Sequence, residues 1–271
     1  MWGNRQVTGQ SHMFRQSLAS SVMNIFIPAG LRRLDEYTLN AWPAWQTVLL
    51  DGWLLRYAGG YTKRANSVNA LYPGTMPLEE KIAQAEAFYR ERELPVVFRL
   101  APFSQPPDLE TVLAERGYRR IDPTQAQLLD LSGWPAAAAD HVQQLPLPAW
   151  MPLYRAFAGQ DEGTANRHAA LLSNIIGKHG LFVLAIDGQP VSCGVGVLSD
   201  DALGLFDITT DPERQRQGFA RRLVEGMLAW GCRHGARRAY LQVMDSNVAA
   251  LKLYAGLGFE LVYPYWYRVS P

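Results

Sequence analysis

The sequence predicts an α/β fold built from two tandem copies of one unit. The first observation behind this is an order of elements that occurs twice. Each half runs helix, meander strands, long helix, buried strand, short helix, a Gly-aromatic step and a final strand. The long helix falls at 77–92 in one half and 217–234 in the other, and the Gly-aromatic step at Gly117-Tyr118 and Gly258-Phe259. The second observation is the alternation of periods: short apolar runs bounded by Gly, Asp and Pro give way to segments with apolar residues at helical spacing. The third is length, since 271 residues suit about two domains.

In the first half, residues 31–42 read as a helix that stops before Pro43. Strands follow at 45–50 and 53–57, joined by Asp51-Gly52, and Gly59-Gly60 leads into a third strand at 64–71. Pro77 opens the long helix, whose apolar positions include Ile82, Ala85, Ala87 and Phe88. A buried-type strand at 95–100, a helix at 108–116 ended by Gly117, and a strand within 119–131 complete the half. The second half has helices at 148–157 and 166–176 and meander strands at 181–186, 191–198 and 202–209. Its long helix is stopped by Gly235, and a strand follows at 238–243. Asp245-Ser246-Asn247 supplies N-cap residues for a helix at 248–255, and the last strand covers 259–269. The expected organisation is a flexible leader at 1–23, a first unit at 24–131, a linker at 132–140 and a second unit at 141–271.

Composition narrows the function. A net charge of +1 gives no global basis for nucleic-acid binding, and no run of about 18 apolar residues predicts a membrane span. Cys193 and Cys232 have neither metal-ligand nor disulfide spacing, which fits a reduced, cytoplasmic compartment. The histidines His12, His141, His168, His179 and His234 show no metal spacing, so no metal is expected. The leader carries Arg5 and Arg15, no acid and no continuous apolar core, which argues against a secretory signal.

One stretch carries chemistry. Asp211-Pro212-Glu213-Arg214-Gln215-Arg216-Gln217-Gly218-Phe219-Ala220-Arg221-Arg222-Leu223 joins a strand to an amphipathic helix. Gly218 lets a ligand approach the backbone, and the helix start offers unpaired amides and the positive end of the helix dipole. With four arginines nearby, this predicts a phosphate site. The first half has Leu71-Tyr72-Pro73-Gly74-Thr75-Met76-Pro77 at the corresponding place and lacks the basic signature. The second unit therefore reads as the ligand-binding one and the first as supporting or substrate-shaping.

Two motifs resemble the GNAT superfamily of acyl-CoA-dependent N-acetyltransferases. Gln215-Arg216-Gln217-Gly218-Phe219-Ala220 matches its Q/R-x-x-G-x-G/A loop. Asn247-Val248-Ala249-Ala250-Leu251-Lys252-Leu253-Tyr254-Ala255-Gly256-Leu257-Gly258-Phe259 matches its N-x-x-A-x-x-L-Y-x-x-x-G-F tail. The match covers about 181–268, and the whole looks like two-domain members with a degenerate first unit. The resemblance implies that each unit is a mixed, mainly antiparallel twisted sheet flanked by helices, an α+β arrangement in the strict sense.

It also implies roles. Amides from Arg216 to Arg221 would cradle the pyrophosphate of acetyl-CoA, with Gln215 to Ala220 as the loop. Ile208, Thr209 and Thr210 would run along the pantetheine arm and hold the acetyl carbonyl, a form of oxyanion stabilisation. Asn247 would bond the pantetheine or simply cap its helix. Tyr254 would protonate the departing thiolate. Asp207 is the only acid in the strand before the loop and the expected base, on a face shared with Leu205 and Thr209 by alternation; a structural hydrogen-bonding role stays open. Arg64, Asn66 and Ser67 are either acceptor contacts in the cleft or a solvated strand face. Tyr263 to Tyr267 read as core.

The expected activity is transfer of an acetyl group from acetyl-CoA to the primary amine of a small or amino-acid-like molecule, by direct attack in a ternary complex. No cysteine stands where a nucleophile would be expected. Peptide or protein amines, a non-catalytic acyl-CoA sensor and an aminoacyl-tRNA-dependent transferase are the rivals. No nucleic acid or membrane partner is expected, and the protein would be a monomer or homodimer.

Overall fold

The computed structural model describes residues 28–135 and 142–271. The expected leader and most of the expected linker lie outside the described residues. Along the chain run α1 (Pro28–Ala41), β1 (Gln46–Leu50), β2 (Trp53–Tyr57), β3 (Val68–Asn69), α2 (Leu78–Arg90), β4 (Val97–Leu100), α3 (Leu109–Glu115) and β5 (Arg119–Asp130). Then come β6 (Val142–Gln144), α4 (Leu147–Ala158), α5 (Glu162–Leu172), β7 (Lys178–Ile186), β8 (Gln189–Ser199) and β9 (Ala202–Thr210). The chain closes with α6 (Phe219–Arg233), β10 (Arg238–Met244), α7 (Val248–Leu257) and β11 (Glu260–Val269).

The predicted α/β class holds, with a mainly antiparallel sheet. All eleven described strands join one sheet in the order β1-β2-β3-β4-β11-β5-β10-β9-β8-β7-β6. Most neighbours are antiparallel; β3–β4 and β9–β10 are the parallel pairs, one in each half. The halves are joined by exchanged strands. β5, from the first half, lies between β10 and β11, and β11, from the second, lies between β5 and β4. Tyr263, Tyr265 and Tyr267 alternate inward along β11 and are buried, as expected of an aromatic core strand.

Helices cover the sheet in three apolar layers. One contains Trp150, Met151, Leu171 and Leu172 of α4 and α5 with Val183, Val195 and Phe206 of the sheet. On the opposite face, Leu223, Val224, Met227 and Leu228 of α6 and Tyr254 and Leu257 of α7 pack on Leu203, Leu205, Leu241 and Val243. The third joins α2 and α3 to β2, β3 and β4.

Two expectations are corrected. The third strand, expected at 64–71, is a 3-10 turn at Lys63–Ala65 followed by the two-residue β3. Asn66 causes this: its side chain bonds the backbone of Ala58, Gly60, Tyr61 and Thr62, a local clamp that competes with a sheet ladder. Asn66 and Ser67 are therefore buried rather than a solvated strand face. The helix expected at 166–176 is α5, which starts earlier because Asp161 caps it by accepting from the Thr164 amide at 2.8 Å.

Candidate active site

The site begins where two parallel strands part. β9 and β10 pair only from Ala202–Leu205 with Arg238–Leu241. Beyond that, Phe206 to Thr210 stay with β8, and Gln242 to Met244 stay with β5. The facing edges of β9 and β10 open into a wedge whose backbone groups have no strand partner across the gap. An extended arm carrying amides, such as pantetheine, fits such an edge.

A β-bulge at the wedge sets the position of Asp207. Phe206 pairs with Val195 and Thr209 with Cys193, so Asp207 and Ile208 together face Gly194. A Cβ on Gly194 would stand 2.6 Å from Ile208 Cδ1, so the Ile208 side chain occupies the space that a larger residue there would take. Asp207 takes φ 52°, a left-handed conformation that aspartate tolerates better than most residues. The extra residue breaks the alternation. Phe206 and Asp207 point to the α4–α5 side, whereas Leu205 and Ile208 pack on the α6 side. The expectation that Asp207 shares a face with Leu205 is thus corrected. A bulge also leaves backbone groups unpaired.

Asp207 sits in a polar cluster that sequence reasoning missed. One carboxylate oxygen is 2.8 Å from Nε2 of His168 on α5, and the other accepts from the Tyr154 hydroxyl of α4 at 3.3 Å. His168 is fully buried, and its Nδ1 has no partner among the described residues. Its ring lies against Trp42, Tyr61, Trp150 and Tyr154, with Tyr61 stacked at 5.2 Å. Burial, and then the charge of Asp207, push the Tyr154 and Tyr61 hydroxyls well above the usual tyrosine range. The same two causes raise the Cys193 thiol, which argues against a thiolate nucleophile here. The available signal was His168 in line with Ala165 and Leu171 on the apolar stripe of its helix.

The loop after β9 has the form of an anion cradle. Asp211 caps a short 3-10 turn at Pro212–Arg214, and Gln215 is extended. Arg216 and Gly218 both take positive φ, 61° and 80°, which turns successive amides before α6 begins. No side chain caps α6, and a Cβ at Gly218 would meet nothing within 4 Å, so the space over the amides is open. Gln215, Arg216, Gln217 and Gly218 are exposed, and Phe219 and Ala220 are half-buried. The Arg221 guanidinium instead turns to Glu225 at 2.8 Å and to the Gly256 carbonyl. These residues fit a pyrophosphate.

In the first half, a side chain of the protein occupies the corresponding place. The Asp51 carboxylate accepts from the Thr75 and Met76 amides, each at 2.9 Å, and pairs with the buried Lys81 ammonium at 3.1 Å. A Cβ on Gly74 would collide with that carboxylate. The Thr75 and Met76 amides hold Asp51 well below the usual carboxylate range, with Lys81 adding to the effect.

Ile208 is half-buried beneath Gly194; the Thr209 carbonyl accepts from Ser192 Oγ at 2.6 Å, and the Thr210 hydroxyl lies 3.1 Å from it. Asn247 caps α7 by accepting from the Ala250 amide at 3.1 Å. Tyr254 is 8 % exposed and edge-on to Phe259, and its hydroxyl has no hydrogen-bond partner among the described residues. Burial pushes it up to about 12, so it holds its proton at neutral pH. Asp207 and Tyr254 belong to opposite faces of the sheet that opens at the wedge. Among the described residues, no group of three or more His, Cys, Asp or Glu could hold a metal. No described helix is long and apolar enough to cross a membrane.

Comparison with known proteins gives the family and the fold. The family described as "Probable histone acetyltransferase Rv0428c C-terminal" matches residues 28–268. The uncharacterized N-acetyltransferase YobR of Bacillus subtilis is 26 % identical over 246 residues, 89 % of this chain and 98 % of that protein. The probable histone acetyltransferase Rv0428c of Mycobacterium tuberculosis is 28 % identical over 243 residues, 86 % of this chain and 72 % of that protein. A solved GCN5-related N-acetyltransferase from Kribbella flavida superposes with a TM-score of 0.67 at 16 % identity, covering 90 % of this chain and 96 % of the other. The chain belongs to the Rv0428c-like acetyltransferase family and is a GNAT-fold N-acetyltransferase.

Proposed function

We propose that the protein binds acetyl-CoA along the β9–β10 wedge and transfers the acetyl group directly to a primary amine of a small or amino-acid-like acceptor. The observation that supports this best is the wedge itself, with an acid cluster on one face and a protonated tyrosine on the other. In this reading the amides of 216–221 hold the pyrophosphate, and the bulged segment at Ile208–Thr210 holds the acetyl carbonyl. Asp207 takes a proton from the acceptor amine as its nitrogen bonds the carbonyl carbon. Tyr254 gives a proton to the sulfur as the C–S bond breaks, and the products are an amide and CoA thiol. His168 positions the Asp207 carboxylate from behind. Asp51 fills the first unit's own anion site, which supports one acetyl-CoA per chain and a supporting role for residues 24–131.

A second reading takes a protein amine as acceptor. It is favoured by relatives named for protein acceptors: the probable histone acetyltransferase Rv0428c and, over 79 residues (29 % of this chain) at 36 % identity, the ribosomal protein bS18-alanine N-acetyltransferase of Escherichia coli. A panel of free amines and amine-bearing peptides, followed by thiol release and product mass, separates the two. Acetylated small amines are the expected products. Acetylation of peptides alone would overturn the small-molecule acceptor, and no thiol release with any amine would overturn transfer itself.

A further inference from the structure

Three arginines lie in the layer where the halves meet, and two are saturated. Arg99 makes a bidentate pair with Asp35, both bonds 2.7 Å, and both side chains are buried. Arg56 is spent on the backbone carbonyls of Leu39, Trp42 and Arg64. The Arg64 guanidinium has no carboxylate or hydrogen-bond partner among the described residues. It lies over the Trp42 ring at 5.3 Å and is half-buried.

Its position is fixed from below. Arg56 donates to the Arg64 carbonyl at 2.6 Å, the Arg64 amide donates to Thr62, and the Asn66 clamp holds the turn on either side. Burial lowers its pKa, and its surroundings, Asp207 among them, more than offset this, so the group stays charged. Trp42, the ring beneath Arg64, also touches His168, the partner of Asp207. A pre-placed, unpaired planar fork over the Trp42 ring suits a planar anion.

We infer that Arg64 is a specificity residue that binds a carboxylate of the acceptor, so that the preferred substrate is an amine bearing an acid group. This rests on the acetyl-transfer reading above and names its substrate class. Arg64 takes the carboxylate in its fork, which leaves the acceptor's amine on the side of Asp207. The fixed cation also disfavours the ammonium form of a nearby amine, which eases loss of its proton.

The test uses the full chain, acetyl-CoA and matched acceptors: amino acids, their carboxamides and the corresponding decarboxylated amines. The wild type is expected to prefer the acids. In Arg64→Gln, the ratio of kcat/KM for acid over amide falls by about 10- to 100-fold, mainly through KM, as loss of a charge-assisted pair implies. Arg64→Lys, which keeps the charge without the fork, recovers part of that ratio. Thermal melts of both variants check that they fold. Equal or better turnover of neutral amines by the wild type would overturn the inference, as would an unchanged ratio in folded Arg64→Gln. Failure to acetylate any amine would instead count against the acetyl-transfer reading.

Discussion

Tyr254 and Asp207 differ in how much of their setting a sequence can carry. Tyr254 lies in a contiguous motif, and the structure adds what its neighbours do to it: burial lifts it to about 12. An acid with that value stays loaded through the physiological range. Tyr254→Phe should lower kcat by about 100-fold with little change in KM for acetyl-CoA. The wild-type rate should show no alkaline fall from this group below about pH 11, given an ordinary tyrosine value near 10. A fully active Tyr254→Phe would remove it as the acid. Asp207 was legible as the strand's only acid, but not its face, because period-two alternation fails at a bulge. His168 was harder to find. It sits 39 residues from Asp207 in sequence and meets it only through the packing of α5 on β9.

At the scale of elements, most boundaries were readable because caps and turns are local. Gly117, Gly218 and Gly258 all take the positive φ expected of glycine at a helix end or loop join. The misread segment, 64–71, failed because Asn66 uses one side chain to satisfy four backbone groups, which no periodicity reveals. Asp51 is the corresponding device before α2, tying the Asp51-Gly52 turn to the Gly74-Thr75-Met76 loop. Its carboxyl is depressed in the folded state, so its contribution is present above the ordinary carboxylate range, near 4, and is lost as pH falls through and below it. Asp51→Asn should lower Tm by a few degrees at pH 7. It should also reduce the loss of stability on acidification from pH 5 to pH 2. Thermal melts across that range check both, and an unchanged Tm at pH 7 would show that the Asp51 bonds contribute nothing net.

For the molecule as a whole, the repeat of elements was legible, but the strand exchange was not. Sequence shows that two similar units follow one another. It does not show that β5 and β11 each sit beside strands of the other half, since that depends on pairings more than 100 residues apart. The exchange makes one sheet of the described strands, puts the aromatic strand β11 across the junction, and leaves a wedge with a basic loop at β9–β10. In the first half the matching loop is closed on Asp51. On the proposed function, this wedge and its Gly218 loop bind acetyl-CoA, once per chain. Isothermal titration of the full chain with acetyl-CoA tests it most directly, with Gly218→Glu as control. The substitution puts a side chain on a backbone at φ 80° and a carboxylate where phosphate is expected. One molecule per chain is expected for the wild type, and no measurable binding for folded Gly218→Glu. A stoichiometry of zero or two, or unaltered binding by the variant, would contradict it.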